Sequence, residues 1–177
     1  MLHPMGLPAR AGRGLVNLVV DTPRGSRNKY KFDPDRGLFA LSRVLPEGMH
    51  FPCDFGSIPG TLGEDGDALD AVAVVEAPSF VGCLMTVRFV GVIAAEQTEK
   101  RRTIRNDRLI AVAITAVNKS TVRRIGDLPK TKVDELEHFF VNYNRAHGRV
   151  FKPIGRLGPA AAERLLENAI HRYETAR

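Results

Sequence analysis

The apolar pattern of this chain changes period once, and that change limits the possible folds more than any other feature. Up to Ile114 the apolar residues come in short runs or alternate with polar ones; from Asp127 onward they recur at helical spacing. Leu15 to Val20, Tyr30 to Phe32, Leu38 to Leu41, Ala71 to Val75, Met85 to Ile93 and Leu109 to Ile114 each read as a strand. In Met85 to Ile93, polar Thr86 and Arg88 alternate with Val87 and Phe89, as a half-buried strand requires. Asp33-Pro34-Asp35-Arg36-Gly37 is a turn, Pro78 ends a strand, and Ala95 to Arg108 reads as a polar loop. Further on, Val133, Leu136, Phe139, Phe140 and Tyr143 share one helical face, predicting an amphipathic helix over Thr131 to His147. Pro159 suits the first turn of a second helix running towards Tyr173, with Leu165, Leu166, Ala169 and Ile170 as its apolar stripe. Strands first and helices last predict an α+β fold.

The length of 177 residues suits one domain over residues 15–177, preceded by a flexible arm, Met1 to Gly14, rich in Gly, Pro and Arg. A hydrophobic content of 44% is enough for a real core. The start of the chain is broken by proline and glycine, unlike a secretory signal, and no apolar run approaches a membrane span. Cys53 and Cys83 are too few for a disulfide framework and read as buried or partly buried thiols in a reducing compartment. His3, His50, His138, His147 and His171 show no metal-ligand spacing. The net charge of +6 points towards anionic partners. With no Trp and 7% aromatics there are few stacking platforms, which speaks against a nucleic-acid module.

One segment carries chemistry. Asp65-Gly66-Asp67-Ala68-Leu69-Asp70 sets three carboxylates within six residues, just before the apolar run Ala71 to Val75. Asp-Gly favours a tight turn, so the cluster is expected at the mouth of the next strand. Crowded carboxylates repel unless a cation sits among them, and a hard divalent ion such as magnesium prefers oxygen ligands. A solvated acidic hairpin turn is the plain alternative. A calcium loop is a weaker reading still.

The surroundings favour the metal. Pro23-Arg24-Gly25-Ser26-Arg27-Asn28-Lys29-Tyr30-Lys31, then Arg43, then Phe51-Pro52-Cys53-Asp54-Phe55-Gly56-Ser57-Ile58-Pro59-Gly60-Thr61-Leu62 precede the acidic turn. In order and spacing the chain resembles the soluble, magnesium-dependent, mostly cytoplasmic inorganic pyrophosphatases. That family reads approximately Pro-x-Gly-Ser-x-x-Lys-Tyr-Glu, Asp-Arg, Tyr-Pro-x-Asn-Tyr-Gly-Phe-Ile-Pro-x-Thr-Leu and Asp-Gly-Asp-Pro-Leu-Asp. The resemblance runs from about Val16 to the C-terminal helix. It implies a small closed five-stranded β-barrel, related to oligonucleotide-binding barrels, with two C-terminal helices packed against it. It implies Mg2+ as cofactor, pyrophosphate and phosphate as ligands, a cytoplasmic location and a homo-oligomer, hexameric in bacterial relatives. Residue by residue, it implies Asp65 and Asp70 as metal ligands and Asp67 as the base that helps deprotonate a bridging water. Lys29, Arg43 and Tyr143 would grip phosphate oxygens, with Arg108 standing where the pattern has Lys. Asp21 takes the place of a Glu. Taken singly, Lys29 and Arg43 read more readily as surface cations; Tyr143 has a plain reading as core and Asp21 as a strand end.

Several positions depart from the pattern. Lys31 replaces Glu, a change of two charges; beside Mg2+ that amounts to a few kcal/mol at intermediate dielectric. Ser42 stands for Asp, Phe51 and Phe55 for Tyr, Ala68 for Pro, and Asn144 for Lys. Gln97 and Thr98 align with an Asp-Glu pair. Asn106 aligns with a metal-binding Asp, though a shift of one residue lets Asp107 serve as a ligand. Residues 99–108 hold five basic side chains (Lys100, Arg101, Arg102, Arg105, Arg108) against two acidic ones (Glu99, Asp107). Carboxylates that recruit metal have been traded for fixed cations. A reduced metal count follows, with Lys31 and part of the Lys100–Arg105 run neutralising phosphate in place of the missing ions. Two readings stand side by side: an enzyme hydrolysing pyrophosphate with a magnesium-activated water, and a degenerate polyanion-binding relative without significant turnover.

Overall fold

The computed structural model describes residues 4–64, 66–115 and 120–176, without the side chain of Met5. Five strands form its centre: β2 (Leu15–Thr22), β5 (Asp54–Ile58), β6 (Leu69–Val74), β7 (Leu84–Glu99) and β9 (Arg108–Ala113). β2 pairs with β5, β5 with β6, β6 with β9 in parallel, β9 with β7, and β7 returns to β2, so the sheet closes on itself. Closure leaves these strands no open edge. β2 spans the seam: its first half pairs with β7 and its second half with β5. That double pairing explains why nearly every residue of β2 is buried, on both faces of the strand.

The alternation of side chains divides the core in two. One apolar cluster draws on all five ring strands, with Val16, Leu18, Ile58, Ala71, Ala73, Phe89 and Leu109 among its members, and fills the barrel. Helix α2 (Pro159–Thr175) covers that cluster with Ala162 and Leu166. The other lies on the outer face, where Val72, Val90, Ile110 and Val112 meet Val133, Leu136 and Phe140 of α1 (Lys130–Arg145). The α+β barrel with two helices therefore holds as expected, and so do the buried Cys53 and half-buried Cys83. Burial pushes the Cys53 thiol up to about 11. No helix among the described residues is long and apolar enough to cross a membrane.

Peripheral elements complete the molecule. β3 (Asn28–Asp33) and β4 (Leu38–Val44) form a separate hairpin, tied to the barrel where the Tyr30 N–H donates to the Thr22 hydroxyl at 3.1 Å. β1 (Arg10–Gly12), inside the stretch read as an arm, pairs with β2, and Arg10 meets Glu163 of α2 at 2.7 Å. The polar stretch Ala95 to Arg108 is not a loop. β7 continues to Glu99, turns at Lys100 with φ 56°, and returns as β8 (Arg102–Arg105). All of β8 is exposed, so no apolar side chain had to mark it; ladder bonds hold it, with the Thr98 and Thr103 hydroxyls 2.8 Å apart across the pair. β10 (Val150–Leu157) went unread because Pro153 and Gly155 break its pattern; they flank a register shift in its pairing with β7.

Candidate active site

The outer face of the barrel, where β2, β5 and β6 run side by side, gathers the carboxylates. A register shift between Val20 and Thr22 leaves Asp21 unpaired in the β2–β5 ladder, and such bulges re-aim a side chain. Asp21 is 4% exposed, and Ser57 Oγ donates to its Oδ2 at 2.6 Å. Ser57 stands directly opposite Asp70 in the β5–β6 ladder, so these side chains share one face and Asp70 flanks the Ser57 hydroxyl. Asp21 Oδ1 is buried and has no hydrogen-bond partner. Burial pushes the Asp21 pKa up to about 7; the Ser57 hydrogen bond opposes the rise, the Asp70 charge adds to it, and the Lys29 and Lys31 charges oppose it.

The β3–β4 hairpin brings the cations. Lys29 and Arg43 are ladder partners, and Lys29 and Lys31, two residues apart, project from one face of β3. Lys29 Nζ lies 5.2 Å from the centre of the Phe55 ring and 5.6 Å from that of Tyr143, a cationic head held between two aromatic faces. Arg43 is half-buried, and its side chain makes no hydrogen bond or ion pair among the described residues. Tyr143 reaches this place from α1. Its ring packs 6.1 Å from Phe51 and 5.8 Å from Phe139, so it belongs at once to the apolar cluster and to the site. Lys31 Nζ sits 2.7 Å from both oxygens of Asp67, with the two side chains 58% and 55% exposed. Asp65 lies outside the described residues.

The far part of β7 carries a different arrangement. Asn106 Nδ2 donates to Gln97 Oε1 at 2.7 Å, so two amides satisfy each other. Asp107 Oδ1 accepts the Ala95 N–H at 3.0 Å and Arg105 Nε at 2.5 Å. The Arg108 guanidinium stacks 5.0 Å from the Phe140 ring centre and 5.4 Å from that of Phe151.

A family model described as inorganic pyrophosphatase matches residues 18–174. The chain belongs to the inorganic pyrophosphatase family. It is 33% identical to the inorganic pyrophosphatase of Synechocystis sp., over 95% of this chain and 97% of that protein. It is 35% identical to that of Thermus thermophilus, over 90% and 91%. The crystal structure of the Thermus thermophilus inorganic pyrophosphatase superposes with a TM-score of 0.88 at 33% identity, covering 98% of this chain and 99% of that one. The Helicobacter pylori inorganic pyrophosphatase superposes at 0.85 with 29% identity, covering 95% and 98%.

The departures from the pyrophosphatase pattern are compensated locally. Where the pattern has Glu and Phe, this chain has the shorter Asp21 and the hydroxyl of Ser57, which meet. Asn144, in the place of a Lys, is buried and donates to the Phe140 carbonyl at 2.8 Å within its own helix. Asp54, in the place of Asn, is fully buried and accepts from the Arg24 N–H at 2.7 Å and the Ser79 hydroxyl at 2.6 Å. Ser57 is the site residue that sequence reasoning missed. Its only signal was a hydroxyl between Gly56 and Ile58, where the pattern has an aromatic ring.

The side chains present fit a hard divalent cation. All the facing donors are oxygens, and the orphaned Asp21 Oδ1 beside Asp70 is a buried acceptor in need of a positive partner. Among the described residues no group of three or more His, Cys, Asp or Glu is placed to hold a metal together.

Proposed function

We propose that this chain hydrolyses inorganic pyrophosphate to two phosphates, with Mg2+ as activator and with fewer ions and slower turnover than a relative carrying every family carboxylate. The observation that carries the reading is a buried, half-satisfied Asp21 beside Asp70, facing the cation row Lys29, Lys31 and Arg43. The substrate is a polyanion attacked by an anionic nucleophile, so the site must neutralise charge and hold attack in line. Magnesium, when bound, lowers the pKa of water by several units and screens phosphoryl oxygens. Asp65, Asp67, Asp70 and Asp107 are the side chains assigned to hold it, and Asp21 supplies a further oxygen.

Lys29 and Arg43, paired across the hairpin, grip one phosphate. The Tyr143 hydroxyl donates to a phosphate oxygen while its ring stays packed, and Arg108, oriented by two aromatic faces, contributes a second fixed charge. Asp67 takes the proton from the attacking water once it is released from Lys31. Self-association into a homo-oligomer and action in the cytoplasm belong to the same proposal.

A second reading has an observation of its own. The Lys31–Asp67 pair and the Gln97–Asn106 clasp fill positions where the family pattern keeps carboxylates, which favours a polyanion-binding protein with little turnover. Phosphate release from pyrophosphate and Mg2+ separates the two. Release by the native chain, lost on the order of a hundredfold in Asp67→Asn, is the expected result. Tight pyrophosphate binding with no release would favour the second reading instead.

A further inference from the structure

Lys31 is the point at which this chain departs furthest in charge from the family pattern, and its exposed ammonium is held by an ion pair. It reaches across 36 residues of sequence to contact both Asp67 oxygens at 2.7 Å. That is the position a cation would take on this carboxylate. Lys31 also shares one face of β3 with Lys29, whose ladder partner is Arg43, so the same ammonium borders the row assigned to phosphate. The contact can exchange. With both side chains more than half exposed, an ion pair of this kind changes an affinity by no more than about fivefold. A lysine ammonium is a compact charge on a flexible stem, able to pass between neighbouring acceptors.

We infer that Lys31 is an exchangeable counter-ion: with no anion bound it covers Asp67 and competes there with a divalent cation, and a phosphate group entering between Lys29, Lys31 and Arg43 draws it away and uncovers Asp67. The inference rests on the phosphate-binding reading of the site and adds to it a way in which anion occupancy controls the carboxylate. A ligand shifts this balance only through its preference for one arrangement. Anion and metal are therefore coupled positively and reciprocally through Lys31, beyond any direct contact between them.

Calorimetric titration of Mn2+ alone, and of inorganic phosphate alone, into the native chain, Lys31→Gln, Asp67→Asn and the double variant tests this. Neither titration involves turnover, so a chain that releases no phosphate from pyrophosphate can still bear the inference out. Lys31→Gln is expected to bind Mn2+ about three- to fivefold more tightly and phosphate severalfold more weakly than the native chain. The gain in Mn2+ affinity should vanish when Lys31→Gln is made on Asp67→Asn, because the two side chains act as a pair. Saturating phosphate should also tighten Mn2+ binding more in the native chain than in Lys31→Gln. A gain that persists without Asp67 would reduce Lys31 to a general positive field and overturn the inference. Unchanged phosphate affinity would do so as well, by showing that Lys31 never passes to the anion. Lys31 is exposed, so the variant is expected to keep the native melting temperature; if it does not, Lys31→Arg, which keeps the charge, must restore native affinities for both ligands or the inference fails.

Discussion

Asp21 is a carboxyl group placed where ionisation is costly. Its pKa moves from the ordinary 3.8 to about 7, with burial as the main cause. The folded chain therefore holds a proton there that the unfolded chain has released between about pH 4 and pH 7. The contribution of this group to stability is whole below about pH 4 and is lost as pH rises through about 7, at about 1.4 kcal/mol per pH unit. Urea unfolding in EDTA at pH 5 and pH 8 measures it. The native chain should lose stability over that interval relative to Asp21→Asn, whose side chain does not titrate. An identical pH dependence in the two proteins would mean that Asp21 is ionised throughout and that its orphaned oxygen carries no penalty. A divalent cation replaces the proton electrostatically, so Mg2+ at pH 8 should recover stability in the native chain and less in the variant.

At the scale of elements, the barrel depends on two close approaches of backbone to backbone. A Cβ on Gly56 would lie 2.3 Å from the Val19 carbonyl oxygen at the β2–β5 seam, the same place that aims Asp21 and Ser57. A Cβ on Gly91 would lie 2.4 Å from the Leu157 carbonyl oxygen and 2.9 Å from Ile125 Cβ. Overpacking of this kind costs about 1–3 kcal/mol. Gly56→Ala and Gly91→Ala should each lower the midpoint of chemical denaturation accordingly, and Gly56→Ala should also weaken metal binding. Gly126→Ala, where a Cβ meets nothing within 4 Å, is the control and should stay within about 0.5 kcal/mol of the native chain. Equal effects at all three positions would rule out steric closeness as the cause.

The whole molecule leaves apolar surface uncovered beside the site-bearing hairpin. Leu38, Leu41 and Val44 of β4 are exposed, as are Phe80 at 67% and Leu84. A Cβ on Gly82 would touch the Phe39 ring at 3.4 Å, so the Phe80 loop lies beside the face of the hairpin that carries Phe39, Leu41 and Val44. Contiguous exposed apolar surface of this kind marks an association site. Light scattering at micromolar concentration is expected to give a multiple of the 19.5 kDa chain mass. Leu41→Glu with Phe80→Glu should shift it towards a single chain. A native protein that runs as one 19.5 kDa chain would remove the homo-oligomer from the proposal.

The order of apolar and polar residues was enough to determine that the five ring strands precede both helices, though not that β10 lies between them, that α1 and α2 present the stripes led by Leu136 and Leu166, and that the Asp67–Asp70 turn opens a strand. Such features are local: a period of two or of 3.6 is written in neighbouring residues. Ring closure was not local, since it joins β2 to β7 across 60 and more residues, and only the resemblance to known relatives made it legible. Nor could the partners of individual charges be read. Whether Lys31 would face phosphate or Asp67, whether Gln97 would meet Asn106, and that Ser57 would complete Asp21 all depend on which side chains the closed barrel brings within about 3 Å. Charge interactions act through space, so the same residues carry a different chemistry until the tertiary structure fixes their distances.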